Sequence, residues 1–281
     1  MKLITMKQLL KDAEDKNIAI AAINVSNMET ITAVIEAAQE QNASIIIQVA
    51  PIQLDIQKIN YEQITKIVKL FIEDKNIKAC LHLDHATSVQ DCIKAIDAGF
   101  TSVMYDGSMV GYEENKQNTK RVVEYAKGKN ITVEAELGCV GGAEGESTDG
   151  HKSKMTDVGH VVDFIKHTDV DCLAVSIGNA HGMYKGEPNL DFELLEEINN
   201  VAQIPLVMHG GTGISKEDLD RAISLGIRKI NFFTEVDRKY VKGFVDAYTD
   251  NNSIYMMAAQ EAGRQCMIAE IENKIKICSR K

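Results

Sequence analysis

Residues 78–106 read KACLHLDHATSVQDCIKAIDAGFTSVMYD, and the fold follows from this stretch. Lys78–His85 is a short apolar run of strand length. Val89–Ala98 has helical periodicity, with Ser88 placed as an N-cap and Gly99 where a helix C-cap belongs. Ser102–Asp106 is a second short run of strand character. Strand, helix and strand in this order form a βαβ unit, the connection that joins parallel neighbours.

Outward from this unit the alternation continues in both directions. Further candidate strands are Ile18–Val25, Ser44–Ala50, Thr132–Gly138, Cys172–Gly178, Ile204–His209 and Arg228–Phe233, eight in all with the two above. They are short and rich in β-branched residues, as buried parallel strands are. Helical stretches lie between them at Met28–Gln41, Tyr61–Asp74, Glu113–Lys127, Asp157–Lys166, Phe192–Asn199 and Lys216–Leu225. In the first of these, Ile31, Val34, Ile35 and Ala38 share one face, with Asn27 as N-cap; Ser215 and Gly226 bracket the last. Eight units predict closure into an α/β (β/α)8 TIM barrel, with an open doubly wound sheet as the rival. The chain has 281 residues, which suits one barrel domain over 1–281, because such barrels need about 250. After Asp250 the sequence is irregular and then helical over Met256–Ile277, a C-terminal helical extension. Loop Cys139–Thr156 is long and rich in glycine and charge, the type that often serves as a lid.

Bulk properties exclude several classes. Net charge is -10 with no dense Lys/Arg cluster, so nucleic acid is not an expected partner. No window is apolar enough to span a membrane, and Met1–Leu10 lacks the core of a signal peptide. The six cysteines are scattered without a C-x-x-C pair, which predicts reduced thiols and a cytoplasmic location.

Barrel chemistry sits at the C-terminal ends of the strands. Here those ends carry Asp84-His85, Asp106, Glu134 and Glu136, Asn179-Ala180-His181-Gly182, His209-Gly210-Gly211-Thr212-Gly213 and Asn231–Thr234. A single histidine at a strand end is more often structural than a ligand. Three of the seven, His85, His181 and His209, map to one rim beside several carboxylates, and three imidazoles with an open fourth position suit a catalytic zinc ion. His82 reads as a core residue, His160 and His167 as solvated, Glu134 as structural, and the role of His151 is open. The glycine turn after His209 leads into a helix, and such turns in the seventh and eighth loops often hold phosphate on backbone N–H groups.

These motifs resemble the class II ketose-bisphosphate aldolases, the fructose- and tagatose-bisphosphate aldolase family, over roughly residues 3–278. The matching stretches are Leu81–Ala86, Ala98–Met104, Val133–Gly138, Ala174–Gly178 with Ala180–Tyr184, and His209-Gly210-Gly211. The resemblance implies metal-dependent, reversible cleavage of a ketose phosphate to dihydroxyacetone phosphate and an aldehyde. It implies His85, His181 and His209 as ligands of Zn2+, for which Co2+ or Fe2+ can substitute. Asp84 would handle the proton at the aldehyde oxygen, and Glu144, in the loop, the α-proton of dihydroxyacetone phosphate. Asp106 and Glu136 match a secondary cation site. Asn24, at the family's first strand end, matches a substrate-binding position. Gly182, Lys185, Gly210, Gly211, Thr212, Gly213, Asn231 and Thr234 match the phosphate wrap, often with a monovalent cation, Na+ or K+, nearby. A homodimer or homotetramer is implied as well. The chemistry is coherent: a metal stabilises the charge that develops beside the ketone, and two carboxylates in distinct environments move the two protons.

Three positions depart from the usual family pattern. Ile23 stands before Asn24 where phenylalanine is usual; Gln48-Val49-Ala50 lacks a terminal hydroxyl; and Asn231-Phe232-Phe233-Thr234-Glu235 has a bulky aromatic at Phe233. A ring there can narrow the aldehyde pocket, which predicts a substrate other than fructose 1,6-bisphosphate. The competing readings are a metal-dependent barrel isomerase or hydrolase, and a non-catalytic partner subunit or sugar-phosphate sensor.

Overall fold

The computed structural model describes residues 3–142, 153–184, 186–250 and 255–281. In chain order the elements are α1 (Met6–Lys16), β1 (Ile20–Asn24), α2 (Met28–Glu40), β2 (Ile45–Val49), α3 (Pro51–Gln57), α4 (Tyr61–Ile72), β3 (Ala79–Ala86), α5 (Val89–Ala98), β4 (Ser102–Tyr105), α6 (Tyr112–Ala126) and β5 (Thr132–Leu137). They continue as β6 (Gly141–Gly142), α7 (Val158–Thr168), β7 (Cys172–Val175), β8 (Ala180–His181), α8 (Phe192–Ala202), β9 (Leu206–Met208), α9 (Lys216–Ser224), β10 (Ile227–Phe232), α10 (Thr234–Asp250) and α11 (Met256–Cys278). Eight parallel strands close in the order β1-β10-β9-β7-β5-β4-β3-β2, so the open-sheet rival is excluded. Every strand read from the sequence is present.

The caps form as the side chains dictate. Asn27 accepts from the Thr30 amide, Ser88 from Gln90 and Ser215 from Asp218. Gly99 ends α5 with φ 94, a left-handed conformation that glycine adopts without a Cβ penalty.

Four elements were not anticipated. Helix α1 has Met6, Leu9, Leu10 and Ala13 on one buried face, and its capping box pairs Thr5 with Gln8. Helix α3 starts on Pro51 directly after β2. Strands β6 and β8 form a two-residue parallel pair, Gly141 with Ala180 and Gly142 with His181.

The barrel interior is layered. At the bottom, the buried face of α1 packs on Ile20, Ala22, Ile46, Cys80, Met104, Cys172, Ala174 and Val207. Above this apolar plug lies a polar layer of His82, Ser102, Glu134 and Lys229, each with no exposed surface. The mouth is formed by Asn24, Gln48, Asp84, Glu136, His209 and Asn231, all buried. The larger apolar cluster fills the space between strands and helices.

One irregularity positions the chemistry. Along β3, alternation aims His82 and Asp84 inward, so regular geometry would send His85 outward toward the helices. Instead the pairing with β4 shifts between Leu83 and Ala86, and His85 takes φ 72. This bulge turns the ring back to the mouth, a local strain that bulges at active sites often carry.

Candidate active site

His85 stands at the end of β3, His181 on β8, and His209 directly after β9. Their ring centroids are 4.4 Å apart for His85 and His209, 5.1 Å for His85 and His181, and 5.8 Å for His181 and His209. One nitrogen from each lies within 4.8 Å of the others, a spacing that fits one shared ion. The outer partners agree with that fit. His85 engages Asp106 Oδ2 through Nδ1 at 2.8 Å, and His209 engages Glu134 Oε1 through Nε2 at 2.8 Å. Carboxylates in this position orient metal-binding imidazoles. The remaining nitrogen of His209, Nδ1, is buried without a hydrogen-bond partner and lies 3.5 Å from Glu136 Oε2. A buried polar atom in this state costs free energy unless a ligand satisfies it.

His85, Asp106 and Glu136 form a second cluster whose oxygens and nitrogen also lie within 4.8 Å of one another. Burial opposes ionisation of Asp106, but hydrogen bonds from His85 and Ser108 outweigh it and hold the carboxyl well below the usual range. Both clusters therefore share His85.

Asp84 is tied down by three amides. Asn24 Nδ2 and Gln48 Nε2 donate to Oδ2, and Asn231 Nδ2 donates to Oδ1, each at 3.0 Å. Burial works against its charged form, yet the charges of His85, Lys229 and His209 and the Asn24 bond hold its carboxyl below the ordinary value. The result is an ionised carboxylate with a fixed orientation, and its Oδ1 is 3.8 Å from His85 Nε2.

A cleft beside Asp84 and His181 is lined by Asn24, Ala50, Gln53, Gly182, Gly210, Thr212, Asn231, Phe233 and Thr234. On the other side of His181 the mouth continues along His85, Asp106, Ser108, Met109, Glu136 and Cys139. Gly210 has φ 66, and a Cβ there would sit 2.1 Å from the Ala180 carbonyl oxygen, so only glycine lets the two histidine-bearing turns approach. Asn179 joins the same turns, donating from Nδ2 to the His209 carbonyl at 2.9 Å. Thr234 begins α10 and lines the same cleft.

Almost all the residues singled out from the sequence meet at this mouth. Glu144 and Lys185 lie outside the described residues, as does His151. His82 is a core residue, as expected, bonded to Ser102 Oγ at 2.8 Å. His160 is half exposed and stacks on Tyr112 at 4.1 Å between ring centroids. Glu134, read as structural, directly supports His209. The sequence reading gave Gln48 no role of its own and passed over Gln53. Gln53 accepts from the Ala50 amide at 2.8 Å and from Asn24 at 3.3 Å, bracing the site's floor. The available signal was a glutamine at an inward position of the otherwise aliphatic run Ile45-Ile46-Ile47-Gln48-Val49.

The buried histidines predict an acid-labile metal-free protein. Burial, with the Lys229 charge for His82 and the His85 and Lys229 charges for His209, holds both imidazoles well below their ordinary range. In the unfolded chain they take up protons near pH 6.5. Because the folded value is the depressed one, stability is complete above that pH and is lost as pH falls below it. Both groups therefore work against the folded state progressively as the pH drops under about 6.5. Asp84 and Asp106, also depressed, add to the loss only below about pH 3.8. Denaturant midpoints of metal-free protein at pH 7.5 and 5.5 should differ accordingly; equal midpoints would refute the assignment.

Comparison with known proteins places this geometry. The family described as fructose-bisphosphate aldolase class-II matches residues 4–281. A fructose-bisphosphate aldolase of Staphylococcus aureus is 41% identical over 258 residues, covering 91% of this chain and 89% of that protein. A sulfofructosephosphate aldolase of Alkalicoccus urumqiensis is 37% identical over 279 residues, covering 99% and 96%. Among solved structures, the YdjI aldolase of Escherichia coli K12 superposes with a TM-score of 0.85 at 31% identity, covering 99% of this chain and 97% of that one. With a closed barrel, a histidine cluster at its mouth and relatives spanning nearly its whole length, the chain belongs to the class II fructose-bisphosphate aldolase family and is an aldolase lyase.

Proposed function

We propose that this aldolase cleaves a ketose phosphate to dihydroxyacetone phosphate and an aldehyde, using a divalent ion held by His85, His181 and His209. The observation that carries the reading is the convergence of those three imidazoles, from β3, β8 and the end of β9, within 4.8 Å beside an ionised Asp84. Zinc is the proposed ion, and cobalt or iron(II) suit the same donors. When bound, it supplies Lewis-acid stabilisation of negative charge at the substrate carbonyl.

The chain's own groups do the rest. Asp84, ionised and clamped by three amides, is set to take the proton from the C4 hydroxyl as the C3–C4 bond breaks, and to return it in the condensation direction. Glu144 is proposed to move the proton at carbon. The support is positional: Gly142, two residues before Glu144 in the sequence, pairs with His181. Gly182, Gly210, Gly211, Thr212, Gly213 and Thr234, with Lys185, are proposed to wrap the phosphate on backbone N–H groups and the N-terminus of α10. A monovalent cation, Na+ or K+, is proposed beside them, and Asp106 and Glu136 with His85 are proposed as the secondary cation site. Asn231 has a second task, since its amide is committed to Asp84.

Substrate choice turns on Ala50 and Phe233, which flank Asp84 in the cleft. Among the described residues lining either side of the mouth there is no Lys or Arg, so none of these offers a cation to a phosphate on the aldehyde end. Fructose 1,6-bisphosphate should therefore show a kcat/KM at least about tenfold below that of the best ketose phosphate, since one lost charge-assisted hydrogen bond costs about 1.5–3 kcal/mol. A panel including fructose 1,6-bisphosphate, tagatose 1,6-bisphosphate and a sulfonated ketose phosphate, scored by triose phosphate release, tests this. Top-ranked cleavage of fructose 1,6-bisphosphate would overturn it.

The isomerase or hydrolase reading loses support from the family match. The non-catalytic subunit reading loses support from the presence of Asp84 and all three histidines. A homodimer or homotetramer is proposed from the family; exposed Tyr248, Tyr255, Met256 and Met257, at the junction of α10 and α11, offer an apolar surface for it. One catalytic domain over 1–281 and a cytoplasmic location are also proposed. No helix among the described residues is long and apolar enough to cross a membrane, and the six cysteines are unpaired, which favours a reducing compartment.

A further inference from the structure

Beneath the histidine cluster the barrel holds an ion pair that no proposed step uses. Lys229 on β10 and Glu134 on β5 have no exposed surface, and Lys229 Nζ donates to Glu134 Oε2 at 2.7 Å. The other carboxylate oxygen accepts from His209 Nε2 at 2.8 Å. Lys229 Nζ also donates to His82 Nε2 at 3.2 Å, which leaves the His82 proton on Nδ1, where it is donated to Ser102 Oγ at 2.8 Å. The chain Ser102, His82, Lys229, Glu134, His209 thus crosses the barrel just above its apolar plug.

A buried ion pair is weak evidence for stability, because well-packed apolar groups of similar volume often serve as well or better. The layer directly below, built from Ile20, Ile46, Met104 and Val207, shows that this barrel accommodates such a filling. The pair has a different use. An ammonium can only donate, so Glu134 Oε2 must accept from it, and the carboxylate is left as an acceptor toward His209. An acceptor at Nε2 requires the proton on Nε2. The lone pair then falls on Nδ1, which is buried without a hydrogen-bond partner. The opposite tautomer would aim an N–H at the cluster and leave Glu134 facing a second acceptor.

We propose that Glu134 and Lys229 are a positioning pair that fixes the tautomer and ring orientation of His209, making Nδ1 its metal donor. The proposal rests on the metal reading above. His82, bonded to Ser102, completes it by accepting a second N–H of Lys229, which helps keep the ammonium aimed at Glu134.

The test uses the full chain, with histidine labelled in 15N, metal-free, and zinc as the probe. Three forms are compared: the unmodified protein, the double variant Glu134→Leu with Lys229→Met, and Glu134→Gln with Lys229→Met, whose amide oxygen is free to accept from His209. In the unmodified protein, long-range 1H–15N spectra should show His209 protonated at Nε2. The double variant should melt no lower than the unmodified protein, lose the single tautomer, and bind zinc about 10- to 100-fold more weakly in competition with a chromophoric chelator. Glu134→Gln with Lys229→Met should recover most of that affinity. A protonated Nδ1 on His209 in the unmodified protein overturns the proposal, as does unmodified zinc affinity in a folded double variant. If the double variant does not fold, the tautomer of the unmodified protein still decides. Failure of the unmodified protein to bind zinc would sink the metal reading, whereas the tautomer speaks to the pair alone.

Discussion

Replacing His209 with alanine is expected to remove bound metal and cleavage together. His209 is wholly buried, with ring centroids of the other two imidazoles at 4.4 and 5.8 Å. Truncation deletes the Nδ1 donor and leaves two histidines, too few to hold a tetrahedral catalytic ion tightly. It also leaves Glu134 Oε1 without its imidazole partner, while Lys229 still neutralises the carboxylate, so the barrel should fold. Lewis-acid stabilisation contributes several kcal/mol, and each 1.36 kcal/mol is tenfold in rate, so turnover should fall by about 10³-fold or more. Metal analysis and triose phosphate release on the same sample check this. One equivalent of metal retained by the variant would remove His209 from the ligand set.

Asp84→Ala should separate metal binding from chemistry. Asp84 Oδ1 is 3.8 Å from His85 Nε2, so the carboxylate neighbours the cluster, and the geometry allows it to act as base or as support. The two roles give opposite results. If it moves the proton at the C4 oxygen, the variant keeps its zinc and loses about 10²- to 10⁴-fold in cleavage, the usual share of general acid–base catalysis. If it only braces His85, zinc is lost. The amides of Asn24, Gln48 and Asn231 lose their shared acceptor in this variant, at about 1–3 kcal/mol for each donor left unsatisfied. Asp84→Asn preserves the shape and serves as the control for folding. Loss of metal from a folded Asp84→Asn protein would reassign the residue as a support.

The parts of this molecule that sequence exposes are those set by local chemistry. Strand β2 is legible because Ile45-Ile46-Ile47 has no other plausible home, and α5 because Ser88 and Gly99 mark both of its ends. The three histidines could be assigned to one rim because barrel topology sends every strand's C-terminal end to the same face. The bulge at His85 was not legible: histidine carries no glycine-like signature for φ 72, and the shift depends on pairing with β4. Helix α1 did leave a signal, with Met6, Leu9, Leu10 and Ala13 at helical spacing after a Thr5–Gln8 capping box. Its short length and position ahead of the first strand hid its role as the barrel's plug. Lys229 was the least legible of all. In sequence it is a charge within a strand, and only the closed barrel brings it across from β10 to Glu134 on β5. The Asp84 clamp, drawn from β1, β2 and β10, escapes sequence reading for the same reason.

The central claim is that one ion, shared by imidazoles 85, 181 and 209, is indispensable for cleavage. The direct measurement is triose phosphate release from the best ketose phosphate before EDTA treatment, after it, and after stepwise return of zinc or cobalt. Activity should vanish with the metal and return in proportion to added ion. Turnover that persists in protein stripped of metal would contradict the account.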